Sequence, residues 1–283
     1  MKWKDIRQWS SGRWFTLILT LYFLLGLYYI WQVPPFEGPD EGEHFAYIEW
    51  LVAGHGFPPQ GNAAWETPVR QEAGQPPLYY LLAAVPATIT GITEPAAVYH
   101  PNPYAFTGSF TPDLRDNHNR TFPYPDGRPP LQGGWLAFYL ARGLTLLFGL
   151  LLLWSLYGLT RTLWPEQPGL APLAVALVAF TPQVVFLSSV VSNDIPAAAL
   201  STLCLWLLVQ MVQQGITRGR AIAAGVTLGL AGLTKVSGLL VGVPVGLGLI
   251  WLWWLGRYRL TTVLRAGIWL GGSFLLTAGW WFG

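Results

Sequence analysis

The sequence predicts an all-α integral membrane protein of about seven transmembrane helices, with one large loop outside the membrane after the first span. Three observations predict it. Of the 283 residues, 52% are apolar and only 11% charged, against roughly 25% charged in soluble domains. Long charge-free runs recur along the chain. The charges also sort by segment: residues 34–133 hold eleven of the fourteen acids, while most bases fall in short turns between apolar runs or ahead of the first one.

The first run, residues 14–33 (WFTLILTLYFLLGLYYIWQV), carries no charge and is long enough to cross a hydrocarbon core of about 30 Å. Lys2, Lys4, Arg7 and Arg13 precede it. No small-x-small cleavage site follows, so an uncleaved anchor is expected. Basic residues stay in the cytoplasm, which places the N-terminus inside. Residues 34–133 are rich in Pro and Gly. They hold all four His but only four Arg, at 70, 115, 120 and 128, which suits the extracytoplasmic side.

Two juxtamembrane helices are expected in that loop, near 41–53 and 76–90. The second (PPLYYLLAAVPATIT) is apolar but short for a span, and Pro86 interrupts it. If it crossed, Arg161, Arg218, Arg220 and the Arg257–Arg265 cluster would all lie outside. It is therefore expected to lie at the outer interface, with Pro76 and Pro77 in its first turn.

Residues 134–282 then carry six more spans, at about 134–160, 170–191, 195–213, 220–236, 238–256 and 264–282. The turns alternate. Arg161, then Arg218 and Arg220, then Arg257, Arg259 and Arg265 share one side; Ser192–Asp194 and Lys235 share the other. Ten of the sixteen basic residues fall on the inferred cytoplasmic side, the positive-inside pattern. Residues 1–283 read as a single membrane catalytic module, and the ending at Ala278–Gly283 suggests truncation at the C-terminus. The single Cys, Cys204, cannot form an internal disulfide.

Four constellations could carry chemistry. Residues 34–47 (PPFEGPDEGEHFAY) place four acids and His44 just after the anchor. Asp40 is a good N-cap for a helix to about Val52, with Glu43 three residues on as in a capping box. Asp40, His44 and Tyr47 would then share one face. The functional reading of the same residues is a carboxylate general base at the membrane surface, with a pKa raised by burial and neighbouring acids.

Residues 72–82 (EAGQPPLYYLL) lead Glu72 and Gln75 into the second juxtamembrane helix. Residues 191–196 (VSNDIP) set Asp194 between two spans, either as an N-cap or as a functional acid. Residues 229–238 (GLAGLTKVSG) hold Lys235, which either snorkels to the headgroups or binds a phosphate as a point charge. Arg142, inside the second span, either pairs with a buried acid or faces that same anion. No Gly-rich phosphate loop, dinucleotide fingerprint or zinc spacing is present, so neither a nucleotide donor nor a nucleic-acid partner is expected.

Asp40-Glu41-Gly42-Glu43-His44-Phe45 resembles the Asp-Glu motif of the GT-C glycosyltransferases, which include protein O-mannosyltransferases, aminoarabinose transferases and RgtA/B/C/D-like bacterial members. Gln75-Pro76-Pro77-Leu78-Tyr79-Tyr80 resembles their second juxtamembrane helix. Ser192-Asn193-Asp194 is similar to their acidic turn between the third and fourth helices, and Gly232-Leu233-Thr234-Lys235 to their Leu-Thr-Lys element. The resemblance covers nearly the whole chain, and it implies seven helices with two juxtamembrane helices in the first outer loop.

It also implies an inverting transfer from a polyprenyl-phosphate sugar to a glycan, lipid or protein acceptor, outside the cell membrane. Asp40 takes the place of the family's catalytic base. Lys235 and Arg70, with Arg142, are candidates for the lipid phosphate. Glu41, beside the base, and Asp194 could orient the acceptor or hold a divalent cation, Mg or Mn. Glu43, His44, Glu72 and Gln75 would support them. The resemblance leaves metal dependence open, and no metal ligands are assigned. A transporter or flippase, or a non-catalytic scaffold whose acids merely cap helices, is the alternative. Convergence of Asp40, Glu41, Asp194 and Lys235 on one outward-facing cavity is the geometry catalysis requires, whereas a transporter should show a path through the bundle.

Overall fold

In hydrocarbon, a backbone must satisfy its own N–H and C=O groups, so apolar runs of this length form helices. The computed structural model describes residues 3–92 and 131–283, with side chains from residue 11 onward. Every regular element among them is helical. The α-helices are α1 (Trp3–Gln32), α2 (Glu41–Val52), α3 (Leu78–Thr88), α4 (Gly133–Leu163), α5 (Leu170–Ala179), α6 (Pro182–Leu187), α7 (Asp194–Gln214), α8 (Arg218–Thr234), α9 (Gly242–Trp254) and α10 (Leu260–Phe282). Short 3₁₀ turns lie at Gly61–Glu66, Arg70–Gly74 and Val236–Val241.

Five segments are long and apolar enough to cross a membrane: Ser11–Gln32, Gly133–Leu163, Asp194–Gln214, Val236–Trp254 and Leu260–Phe282. Two expected spans differ from this standard. The run 170–191 is not one helix: α5 stops at Ala179, Thr181 is extended (ψ 118°), and Pro182 starts α6. Proline disfavours the helical conformation in the residue before it, which accounts for a break at Thr181. The expected 220–236 span is α8, with 17 residues. The expected 76–90 helix is α3, shorter at both ends, with Pro76 and Pro77 ahead of its first turn rather than in it. His100, Asp113, Arg115, Asp116, His118 and Arg120 lie outside the described residues.

The helices pack as a chain of neighbours, α4 on α7, α7 on α8 and α8 on α10, with α1 against α4 and α5. At one end of the bundle, Ser11 Oγ near the start of α1 donates to Pro168 O after α4. There too, Trp206 Nε1 of α7 donates to Thr162 Oγ1 of α4 (3.0 Å). At the other end, α2 and α3 pack on each other and α3 packs on α4. Phe45, Ile48, Tyr79, Tyr80 and Ala83 of these two helices are buried together with Phe36 and Phe138. Outward-facing apolar side chains such as Leu177, Leu247, Ile268 and Leu276 are exposed, as lipid-facing positions are.

α8 and α10 approach through small residues. Gly225 and Gly229 form a Gly-x-x-x-Gly pair, a spacing that lets helix backbones come close. A Cβ at Gly225 would collide with the Leu270 carbonyl oxygen and Ser273 Oγ, whereas one at Gly267 meets nothing within 4 Å. Backbone cannot give way as a side chain can. Gly225→Leu is therefore expected to cost about 1–3 kcal/mol and Gly267→Leu close to nothing, read from thermal unfolding in detergent.

Candidate active site

The end of the bundle covered by α2 and α3 collects the polar groups, and their arrangement begins with a buried ion pair. Glu41, the first residue of α2, and Arg142 of α4 are both 0% exposed. Arg142 donates from Nε to Glu41 Oε1 and from Nη2 to Oε2, each at 2.8 Å. Its remaining N–H groups go to the carbonyls of Ile30 (3.0 Å), Val33 (2.8 Å) and Pro34 (3.0 Å). A guanidinium has five N–H donors, and all five are used. Several of these carbonyls belong to the unsatisfied C-terminal end of α1, where a cation is also favoured by the helix dipole.

Glu41 in turn accepts from Val191 N (2.7 Å) and Gly38 N (3.3 Å), filling its four acceptor positions. The pair thus ties the exit of α1, the start of α2, α4 and the α6–α7 linker together. Arg142 has no donor left for a phosphate, and Glu41 has no lone pair left for an acceptor or a metal. Of the two readings open for Arg142, pairing with a buried acid is the one the structure contains.

This clamp leaves Asp40 in a different state from its neighbour. Asp40 occupies the N-cap position of α2 with left-handed backbone (φ 52°, ψ 17°) and makes no side-chain cap bond. The expected capping box with Glu43 is absent, because that backbone conformation does not match the extended one a capping side chain needs. The exposed Asp40 carboxylate instead accepts from Gln71 Nε2 (2.7 Å). Among the described residues, the non-glycine residues with positive φ are Phe36, Asp40 and Arg70. All three lie in the loops that build this site. Such conformations cost about 1–3 kcal/mol each and collect at functional sites. The Phe36 ring is held among Phe45, Trp135 and Phe138. Gly38 lies so close to Val190 that a Cβ there would sit 2.8 Å from Val190 Cβ.

α7 and the C-terminal end of α8 bring a second ion pair. Lys235 Nζ donates to Asp194 Oδ1, with the side chains 31% and 44% exposed. Asp194 is the first residue of α7 and does not cap it; the hydroxyl of Ser192 accepts from Asp194 N at 3.2 Å. Next to it, the wholly buried Asn193 donates from Nδ2 to Thr234 O (3.2 Å) and Gln75 Oε1 (3.3 Å). Asn193 Oδ1 has no partner among the described residues.

Between these groups sits a buried triad. His44 Nδ1 lies 2.8 Å from the Tyr80 hydroxyl and 3.1 Å from Glu72 Oε2, and Tyr80 donates to the same Glu72 oxygen at 3.2 Å. Burial lowers the His44 pKa to about 3, with Lys235 adding to the effect and Asp194 opposing it. The imidazole is therefore neutral and its contact with Glu72 is a hydrogen bond, not an ion pair. Burial raises Glu72 to about 7, against the Tyr80 hydrogen bond and Lys235, and with help from Asp40 and Glu43.

Asp40, Glu43 and Lys235 all act electrostatically on Glu72, and Asp194 and Lys235 on His44, although 195 positions separate Asp40 from Lys235. Arg70 is exposed beside Gln71 and Glu72 and has no ion-pair partner among the described residues. Gln71, Tyr80 and Asn193 were not among the expected site residues. Tyr80 and Asn193 stand inside motifs already singled out, whereas Gln71 has no sequence signal of its own. Among the described residues no three His, Cys, Asp or Glu side chains are grouped to hold a metal ion, and no step is assigned to one.

A Glu whose folded pKa is raised from 4.5 to about 7 contributes stability that is full below the unfolded value and is lost as pH rises through the folded value. Stability is thus expected to fall between pH 4.5 and about pH 7, and Glu72→Gln should flatten that slope. A pH series of unfolding temperatures checks this; an unchanged slope in the variant would reassign the proton.

A bundle with five helical segments long and apolar enough to cross a membrane, and with charged side chains gathered at one end, defines a multi-pass membrane protein. The chain belongs to the dolichyl-phosphate-mannose-protein mannosyltransferase family, whose pattern matches residues 121–279, more than half its length. It is therefore a membrane glycosyltransferase that uses a lipid-linked sugar. The matched stretch carries Arg142, Asn193, Asp194 and Lys235 and leaves Asp40 to Gln75 outside it. No curated relative and no solved structure matches the chain.

Proposed function

We propose that this chain performs an inverting transfer from a polyprenyl-phosphate sugar to an acceptor hydroxyl, with Asp40 as the general base. The observation that carries the proposal is the contrast between adjacent carboxylates. Glu41 is saturated and buried, while Asp40 is exposed, uncapped and held in a left-handed turn, and it shares with Lys235 an electrostatic influence on Glu72.

In this reading the acceptor O–H proton passes to the Asp40 carboxylate as the acceptor oxygen bonds to the anomeric carbon. The bond from that carbon to the phosphate oxygen breaks, and the lipid phosphate leaves with the electron pair. Attack from the face opposite the leaving group inverts the anomeric centre, the outcome expected of one base acting across from the departing group. The departing charge is met by Lys235, which exchanges Asp194 for the phosphate, and by Arg70; stabilising such developing charge is often the largest catalytic effect. A sugar hydroxyl would satisfy Asn193 Oδ1. Glu72, His44 and Tyr80 position the acceptor side of the pocket.

The family description points to mannose as the sugar and a protein hydroxyl as the acceptor. Seven passes, with α5–α6 and α8 completing the five longer spans, would put the Arg-rich turns in the cytoplasm and the carboxylates outside. The gathering of charge at one end favours a surface reaction over passage through the bundle.

The test supplies membranes containing the protein with labelled polyprenyl-phosphate mannose and a Ser/Thr peptide. Label is expected on the peptide, in a linkage of inverted configuration. Retained configuration, or transfer from a nucleotide sugar but not from the lipid, would contradict the reading.

A further inference from the structure

The opposite end of the bundle holds a second cationic feature that glycosyl transfer does not use. A cavity of about 200 Å³ lies between the start of α8 and the first turns of α10, lined by Thr217, Arg218, Thr262, Arg265 and Trp269 among others. α8 has 17 residues, so at 1.5 Å per residue it separates this cavity from Lys235 by about 25 Å. It is a different site from the carboxylate cluster.

The arginines at this end divide into two kinds. Arg220 donates to Gln214 O, Gly215 O and Gln214 Oε1, and Arg257 donates to Val212 O. Both are spent on the C-terminal end of α7. Arg218 and Arg265 instead line the cavity, and the Arg218 guanidinium is held over the Trp269 ring at 4.0 Å. No acidic residue occurs after Asp194, and none lines the cavity. Two cations face one small volume with no carboxylate lining it among the described residues, and the hydroxyls of Thr217 and Thr262 supply further donors.

The chemistry on α10 distinguishes a lipid from a free anion. Arg265, Trp269, Gly272 and Leu276 are all exposed and recur at the spacing of one helix face. The stripe thus starts at a cation, passes an aromatic ring and continues as an apolar track with a notch at Gly272. A phosphate headgroup in the cavity would place its acyl chain along that track.

We propose that this cavity binds the phosphate headgroup of an anionic phospholipid, in the leaflet opposite the carboxylate site. Arg218 and Arg265 hold the phosphate, and α10 lies against the lipid tail. Basic pockets between transmembrane helices recognise headgroups in this way.

The test uses the purified full chain in neutral detergent and measures binding of short-chain phosphatidylglycerol by native mass spectrometry. Phosphatidylglycerol is expected to bind and phosphatidylcholine to fail. Arg218→Gln with Arg265→Gln should weaken binding about thirtyfold, two charges each acting near the surface. Arg218→Lys with Arg265→Lys should retain most of it. Millimolar inorganic phosphate should not displace the lipid. Equal binding of phosphatidylcholine, displacement by phosphate alone, or undiminished binding in the glutamine variant would each overturn the proposal. If the glutamine variant fails to fold, the lipid comparison on the unaltered chain and the lysine variant still decide it.

Discussion

Asp40→Asn is expected to lower kcat by about 10²- to 10⁴-fold, the usual contribution of a positioned general base, while leaving the amount of folded protein and its unfolding temperature nearly unchanged. The structure separates the two effects. Asp40 makes no cap bond to α2, and among the described residues its carboxylate has a single hydrogen bond, from the exposed Gln71. Asparagine keeps the shape, tolerates left-handed backbone and can still accept from Gln71 through its amide oxygen. What it cannot do is take up the acceptor's proton. Because the base acts in the chemical step, the loss should appear in kcat with little change in KM for the donor. A variant that transfers sugar at the original rate removes Asp40 from the mechanism; one that fails to fold makes it a structural residue.

The residue beside it should behave in the opposite way. Glu41→Ala is expected to destabilise the protein by about 3–5 kcal/mol, the cost of leaving one partner of a buried ion pair uncompensated. Arg142 would keep its charge and its three backbone carbonyls but lose both carboxylate oxygens. The N–H groups of Val191 and Gly38 would lose their acceptor as well. Four segments meet at this carboxylate, so the defect should spread to the turn that aims Asp40. The measurements are the unfolding temperature in detergent and the recovery of monodisperse protein. Glu41→Gln, which restores shape and one acceptor oxygen, should fall between. If Glu41→Gln is fully stable yet inactive, Glu41 has a chemical role beyond the clamp.

The contrast between Asp40 and Glu41 also marks what could be read in the sequence. Hydrocarbon length is a local property, so the apolar runs at 14–33, 134–160, 195–213, 238–256 and 264–282, and the helix near 41–53, could be placed. The junctions needed finer reading. Thr181-Pro182 stands in the middle of the 170–191 run, and the break there follows from the steric demand of proline on its predecessor. Partner choice was another matter. Glu41 and Arg142 are 101 positions apart, and Asp194 and Lys235 are 41 apart. No spacing rule pairs them, because only the packed bundle decides which acid reaches which base. For the same reason the sequence offered Asp40 as a helix cap: its residue type favours capping, and only the left-handed backbone shows that the side chain is turned elsewhere.

The carboxylate cluster and the arginine cavity, at opposite ends of α8, are both candidates for a phosphate, and this makes one measurement decisive. A photoactivatable polyprenyl-phosphate sugar can be crosslinked to the protein in membranes and the labelled peptides mapped by mass spectrometry. If the sugar donor is cleaved beside Asp40 and Lys235, label should fall within residues 34–75, 192–195 and 232–236 on the carboxylate side and fade in Lys235→Met. Label confined to the turn at 216–218 and to residues 262–269 would place the donor at the wrong end and contradict the account.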